Sequence, residues 1–404
     1  MSVTYQCVSC AERFETDLLY ECPECGGILD VKADLSSIDP SLFNQTPASM
    51  WEYESILPVE DPMTLGEGGT PLTSASKARD NDLDLNLYLK NEGINPTCSF
   101  KDRPNALGLA YVSETSKTNT AVISSHGNAG ASFAAYAHRN GIDPIVLVPE
   151  GSTAGLPKVK SYHAKTVPVS GDISDTYALA RDAAESFGWY NGTTTHQVPL
   201  ANQGNRTMAY ELYSQLGSVP DWILIPISAG PLLTQTYRGF EELQSLGVVD
   251  TLPSMVGVQA SGCSPIATAY EQGVTTVEEW HNVMDTIATS IEDPLRGYAK
   301  DGTYTLQIIE ESGGVAVACD DERIRNATKQ AAITEGILAE TASATPLVAL
   351  QELAQRGTID RGDTVVGVIT GHGMNEVEKL AAQSEERKQI PVDTDSLRRE
   401  IAAD

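Results

Sequence analysis

TAVISSHGNAGASFAAYAHR, residues 120–139, decides the fold. Thr120 to Ser125 is β-branched and apolar and reads as a strand, and Ala129 to Arg139 carries its apolar residues at helical spacing. A second strand follows at Pro144 to Val148. The pattern returns further on, where strands at Trp222 to Ile227 and Met255 to Gln259 flank a helix from Leu232 to Leu246, and a last strand runs from Thr364 to Ile369. Strand, helix, strand units build parallel sheets covered on both faces, so the fold class is expected to be α/β. With 404 residues the chain exceeds the usual size of one compact domain, and more than one lobe is expected.

In such sheets ligands bind beyond the carboxyl ends of strands. Three loops stand there: His126, Gly127 and Asn128; Ser228, Ala229 and Gly230; and Thr370, Gly371, His372 and Gly373. Each is a small turn leading into a helix N-terminus, where unpaired N–H groups and the helix dipole favour an anion. One such turn is ordinary punctuation; three beside a distinctive lysine segment point to a site. That segment, LKNEGINPTCSFKDRP at 89–104, sets Lys101 after apolar Phe100 and a run of small residues. A lysine in a charged stretch is usually solvated. This setting instead suits a partly buried amine of lowered pKa, the form that condenses with an aldehyde.

The N-terminal segment carries Cys7, Cys10, Cys22 and Cys25 as two CxxC pairs, with Gly26 and Gly27 turning the chain after the second. Four thiolates so spaced fit a closed tetrahedral zinc ribbon, which is structural or docking rather than catalytic. The alternatives are a relic that has lost its metal, or a redox pair. Cys98, Cys263 and Cys319 are scattered and read as reduced and structural. Acidic residues number 55 against 27 basic, a net charge of -28 that repels phosphate backbones and argues against nucleic acid. Carboxylate spread along the whole chain looks like the solubility strategy of a protein in high salt. The sequence has no apolar stretch of membrane-spanning length and no signal peptide at its start, so a cytoplasmic protein without membrane contact is expected.

The ordered set of motifs resembles the threonine synthase family, within the tryptophan synthase beta-like, fold type II pyridoxal-phosphate enzymes. LGEGGTPL at 65–72, NPTCSFKDRP, SSHGNAGASFAAYA, GVQASGCSPI, EESGG, EGILAETASA and ITGHGMNE follow in family order. The resemblance implies a two-lobed parallel-sheet fold with the zinc ribbon appended, and pyridoxal 5'-phosphate held as a Schiff base on Lys101, which then shuttles protons. It implies that Asn128 holds the cofactor's ring oxygen, that Ser125, His126 and Gly127 line the substrate carboxylate pocket, and that Ser228, Ala229 and Gly230 cup the cofactor phosphate. Thr370 would meet the pyridine nitrogen with a neutral hydroxyl, steering chemistry toward elimination and replacement. Standing alone, Asn128 reads equally as a helix cap and Thr370 as a strand end.

The expected organisation is a ribbon at 1–35, a linker at 36–64, a large cofactor-binding lobe at 65–110 and 200–385, a small substrate-binding lobe at 111–199, and a charged tail at 386–404. The implied activity is threonine synthase, acting on O-phosphohomoserine as a homodimer. The chain departs from the family at Val198 and Ala201, where polar groups for the substrate's phosphate are expected, while Arg206 keeps a cation. Pro231 removes a donor from the phosphate cup, and Cys98 stands for a glycine. The changes around Val198 favour the alternative, a serine or threonine dehydratase or β-replacing synthase of the same fold, which needs no second phosphate site. A non-catalytic paralogue that docks a partner through its ribbon is the third reading.

Overall fold

The computed structural model describes residues 3–16, 18–75, 85–115, 118–125, 127–151, 156–193, 195–282, 285–381 and 389–401. At the N-terminus β1 (Val3–Cys7), β2 (Arg13–Thr16) and β3 (Leu29–Lys32) form an antiparallel sheet in the order β2-β1-β3. Alternation along β1 turns Val3, Tyr5 and Cys7 inward, as period 2 requires. The main body opens with β4 (Leu72–Ser74) and β5 (Asn86–Asn91). The chain then leaves to build a second sheet from β6 (Thr120–Ser124), β7 (Asp143–Pro149), β8 (Lys165–Val169) and β9 (Tyr190–Asn191), all parallel, in the order β8-β7-β6-β9. It returns as β10 (Trp222–Pro226), β11 (Ser254–Ala260), β12 (Val315–Cys319) and β13 (Thr364–Ile369).

These complete a six-stranded sheet, β12-β11-β10-β13-β5-β4, parallel except for the edge strand β4. Its central strands are apolar on both faces, as burial between helical layers demands. The strands expected at Thr120, Pro144, Trp222, Met255 and Thr364 are all present, each within two residues of its expected bounds. Residues 36–64 form a packed wall rather than a loose tether. Two short 3-10 turns, Pro40–Asn44 and Met50–Ile56, bury Phe43, Met50, Trp51, Tyr53 and Ile56. The rings of Phe43, Tyr53 and Tyr210 pack with centroids 5.1 to 5.9 Å apart.

The cysteine-bearing sheet is seated in the body. Val3, Tyr5, Leu29 and Val31 share one apolar cluster with Leu107, Tyr111, Phe133 and Tyr190 around the second sheet. Asp30 on β3 reaches Arg206 at 2.6 Å, and both are buried. Burial alone would raise the Asp30 carboxyl, but the charges of Arg206 and Lys32 override it and hold it down at about 2. Among the described residues no helix is long and apolar enough to cross a membrane. The charged C-terminal stretch contains a helix, Thr394–Ile401, and residues 382–388 lie outside the described residues.

Candidate active site

The loop that carries Lys101 is fixed from both sides of the lysine. Thr97 donates its backbone N–H and its hydroxyl to the Asp102 carboxylate, at 2.7 and 2.5 Å. Arg103 is fully buried and bonds to Glu92 through Nε and Nη2, both at 2.7 Å, and to Glu211 through Nη1 at 2.6 Å and Nη2 at 2.8 Å. Lys90 joins the cluster, donating to Glu211 at 2.6 Å. The charges flanking Lys101 are therefore internal anchors, which excludes the reading of this stretch as a solvated face. Phe100 donates its N–H to the Thr370 carbonyl at 3.0 Å, tying the lysine loop to the end of β13. Cys98, where the resemblance implies a glycine, adopts φ +63°, a left-handed conformation that costs a side-chain-bearing residue roughly 1 to 2 kcal/mol.

Between the two parallel sheets lies a cavity of about 480 Å3, within the range that holds small ligands. Lys101, Ser125, Gly127, Asn128, Ser228 and Thr370 line it, which brings together six positions expected from the sequence. Ala229 and Gly230 do not reach its surface; they shape the turn behind Ser228. Gly230 has φ +99° and caps the helix Pro231–Ser245, and a Cβ there would meet Thr305 Cγ2 at 2.3 Å. Thr305 Oγ1 in turn donates to the Ala229 carbonyl at 2.6 Å. His126 lies outside the described residues.

Asn128 is the first residue of the helix Asn128–Arg139 and makes no capping bond there. Ser125 does that work, its Oγ accepting from the N–H groups of Gly127 at 3.1 Å and Gly130 at 2.9 Å. The Asn128 side chain instead faces the cavity, with Nδ2 donating to Glu340 at 2.6 Å and Oδ1 accepting from Lys158 at 3.1 Å. Thr370 pairs its hydroxyl with Ser343 at 2.9 Å, so the group at the end of β13 is neutral.

Burial lowers the Lys101 amine to about 8, against the opposing charge of Asp293. Lys158 also lines the cavity and is lowered by burial, against Glu340, but its Nζ is already committed to Thr97 O at 2.6 Å, Asn375 Oδ1 at 2.6 Å and Asn128. Burial, then the charge of Glu376, raises Glu340 to about 7 against the donors Asn128 and Asn375. Sequence reasoning assigned no role to Lys158, Asp293 or Glu340. Glu340 sits inside the EGILAETASA motif, whereas Lys158 lies in an unremarkable polar helix turn and Asp293 in a sequence that reads as an Asp-Pro turn.

The segment in which Arg206 was expected to keep a cation near the substrate is buried. Val198 and Ala201 are 3% and 5% exposed, and Arg206 is spent on Asp30, Glu242 and Gln235. Among the described residues the cations that face the cavity are Lys101, Lys158 and Lys379. At the N-terminus the Sγ atoms of Cys7, Cys10, Cys22 and Cys25 lie within 4.8 Å of one another.

Residues 63–371 match the family described as pyridoxal-phosphate dependent enzymes. The chain is 36% identical to a threonine synthase of Methanosarcina acetivorans over 404 residues, covering 98% of each protein. It is 34% identical to one of Methanocaldococcus jannaschii over 405 residues, again covering 98% of each. In three dimensions it is similar to an L-serine ammonia-lyase of Rhizomucor miehei, with a TM-score of 0.65 at 20% identity over 78% of this chain and 98% of that one. A maize serine racemase superimposes with a TM-score of 0.63 at 18% identity, covering 83% and 92%. The last two likenesses establish the fold. Taken with the full-length relatives, they show that the chain belongs to the threonine synthase family of fold type II pyridoxal-phosphate dependent enzymes.

Proposed function

We propose that this protein is a threonine synthase that converts O-phosphohomoserine and water to threonine and phosphate. The observation that carries the reading is identity with threonine synthases along nearly the whole chain, the cysteine-bearing sheet included. The donor set fits the cofactor: an amine of lowered pKa, an amide, the hydroxyls of Ser125, Ser228 and Thr370, and the N-terminus of the helix Asn128–Arg139 converge on one cavity. When bound, pyridoxal phosphate supplies a ring that accepts electrons from the substrate's reacting carbons.

Lys101 Nζ would hold the cofactor, then take protons from the substrate's α and β carbons and return them at the γ carbon, once phosphate has left it, and at the α carbon, a task suited to an amine titrating near 8. Asn128 would meet the ring oxygen through the amide that Glu340 and Lys158 orient. The neutral Thr370 hydroxyl would face the ring nitrogen. Ser228 and the helix behind Gly230 would take the cofactor phosphate, and Ser125 and Gly127 the substrate carboxylate at the start of the helix Asn128–Arg139. Lys158 and Lys379, whose Nζ atoms each already donate to three acceptors, would offer the substrate's own phosphate their positive charge in place of the buried Arg206. Turnover in water enriched in oxygen-18 tests this: the label belongs in the threonine hydroxyl, and unlabelled threonine contradicts hydration at the β carbon.

The burial of Val198 and Ala201 favours, as second reading, a dehydratase of serine or threonine, which needs no second phosphate subsite. The cysteine cluster fits structural zinc. Zn–S bonds of about 2.3 Å set tetrahedral sulfurs about 3.8 Å apart, and the pairs Cys7–Cys25 and Cys10–Cys22 stand at 3.5 and 3.7 Å. One zinc per chain is expected by metal analysis. Cys22→Ser should lose it and unfold at lower temperature, since metal binding energy becomes folding energy; full zinc content in that variant rules the site out. The -28 charge supports a cytoplasmic protein kept hydrated in high salt, and the assembly is proposed as a homodimer.

A further inference from the structure

Residues 285–298, which lead into the helix Ala299–Glu311, close one end of the cavity through Thr289 to Asp293. Arg296 on this segment bonds to Asp172, the cap of the helix Ile173–Phe187 that belongs with the second sheet. Tyr298 packs on Tyr177 of that same helix, with ring centroids 5.4 Å apart. The segment is thus a clasp from one lobe to the other. At its centre Asp293 is 4% exposed and lines the cavity with Lys101. Its Oδ1 accepts the Tyr298 hydroxyl and the Leu295 N–H at 3.1 Å. Leu295 is held at φ +56°, so the backbone accepts strain to make this turn.

We propose that Asp293, anchored by Tyr298 on the clasp between the lobes, is a positioning residue for Lys101, holding the protonated Nζ aimed into the cavity. Asp293 takes no proton itself; the proton removed from a substrate carbon stays on Nζ, opposite the carboxylate, until it is returned. The inference rests on Lys101 being the proton-carrying amine. The same carboxylate sits on the segment that joins the lobes through Arg296 and Tyr298. Among the described residues the other ionisable groups at this end include Asp172, committed to Arg296, the phenols of Tyr177 and Tyr298, Cys263, Asp301 and Glu292; Lys158 and Glu340 are paired elsewhere along the cavity. The charge of Asp293 raises Lys101 against the burial that lowers it, and Lys101 draws Asp293 down against the burial that raises it.

The test titrates the Lys101 amine in cofactor-free full-length protein, by competitive acetylation and peptide mapping, in wild type, Asp293→Asn, Asp293→Ser and Asp293→Glu. Removing the carboxylate charge is expected to lower the midpoint from about 8 by about one pH unit. Asp293→Glu is expected to restore it. Two neutral variants are used so that one misfolded protein does not decide the matter, with circular dichroism reporting the fold. An unchanged midpoint in a folded neutral variant overturns the proposal, as would an Asp293→Glu midpoint that stays with the neutral pair. A moved midpoint in a protein that makes no threonine keeps Asp293 in place and removes the assigned activity instead, so the two failures are told apart.

Discussion

Lys101→Ala is expected to lose all visible absorbance from bound cofactor and to lower kcat/KM by about 10^3-fold or more. Two lysines of lowered pKa share the cavity, and only one of them can do this work. Lys158 donates to three acceptors, Thr97, Asn128 and Asn375, and has no lone pair to offer while those bonds stand. Lys101 carries an amine at about 8 beside the ring of Phe100, at 4.8 Å from its centroid. Lys158→Ala is therefore expected to keep the borohydride-sensitive band and to bind substrate more weakly. The contrast is read in one experiment by recording both spectra before and after borohydride. Loss of the band in Lys158→Ala with its survival in Lys101→Ala would exchange the two roles.

Glu211→Ala is the substitution expected to cost the most stability, about 3 to 5 kcal/mol, because it leaves Arg103 and Lys90 buried with a partner removed. A domain has only about 5 to 15 kcal/mol in total, so the urea midpoint should fall sharply. Glu211 is 0% exposed, and burial alone would raise its carboxyl; the charges of Arg103 and Lys90 prevail and hold it at about 2. A carboxyl depressed on folding stabilises above its unfolded value, ordinarily near 4.5, and that contribution is lost as pH falls toward about 2. Wild type should therefore lose stability through that window, and the part due to Glu211 should be missing from Glu211→Ala. The damage should reach the site, since Arg103 is two residues from Lys101 and its cluster holds the loop. Equal urea midpoints for variant and wild type would show that the cluster is dispensable.

Five strands, beginning near Thr120, Pro144, Trp222, Met255 and Thr364, were legible because they are short, β-branched and largely buried; β5, β8, β9 and β12 were not expected, and β8 is nowhere fully buried, so it lacks that apolar signal. Lys101, Asn128, Ser228 and Thr370 were legible as a constellation, since no single motif among them is specific. What stayed hidden is chemistry set by distant packing. Lys158 meets Asn375 across 217 positions in the chain, and Arg296 meets Asp172 across 124. No periodicity records such pairings. Arg206, the cation that persists in the Val198 segment, is another such case, because its partner Asp30 lies 176 positions away. Asn128 illustrates the reverse case: its capping role was a fair expectation from residue type, and Ser125 three residues earlier took it.

The central claim is tested most directly by giving the cofactor-loaded protein, in high salt, O-phosphohomoserine in one vessel and serine or threonine in another. Threonine and inorganic phosphate in equal amounts from the first, without ammonia from the second, is the predicted result. Ammonia and a ketoacid from the second, with no phosphate from the first, would contradict it and assign the cavity to a dehydratase.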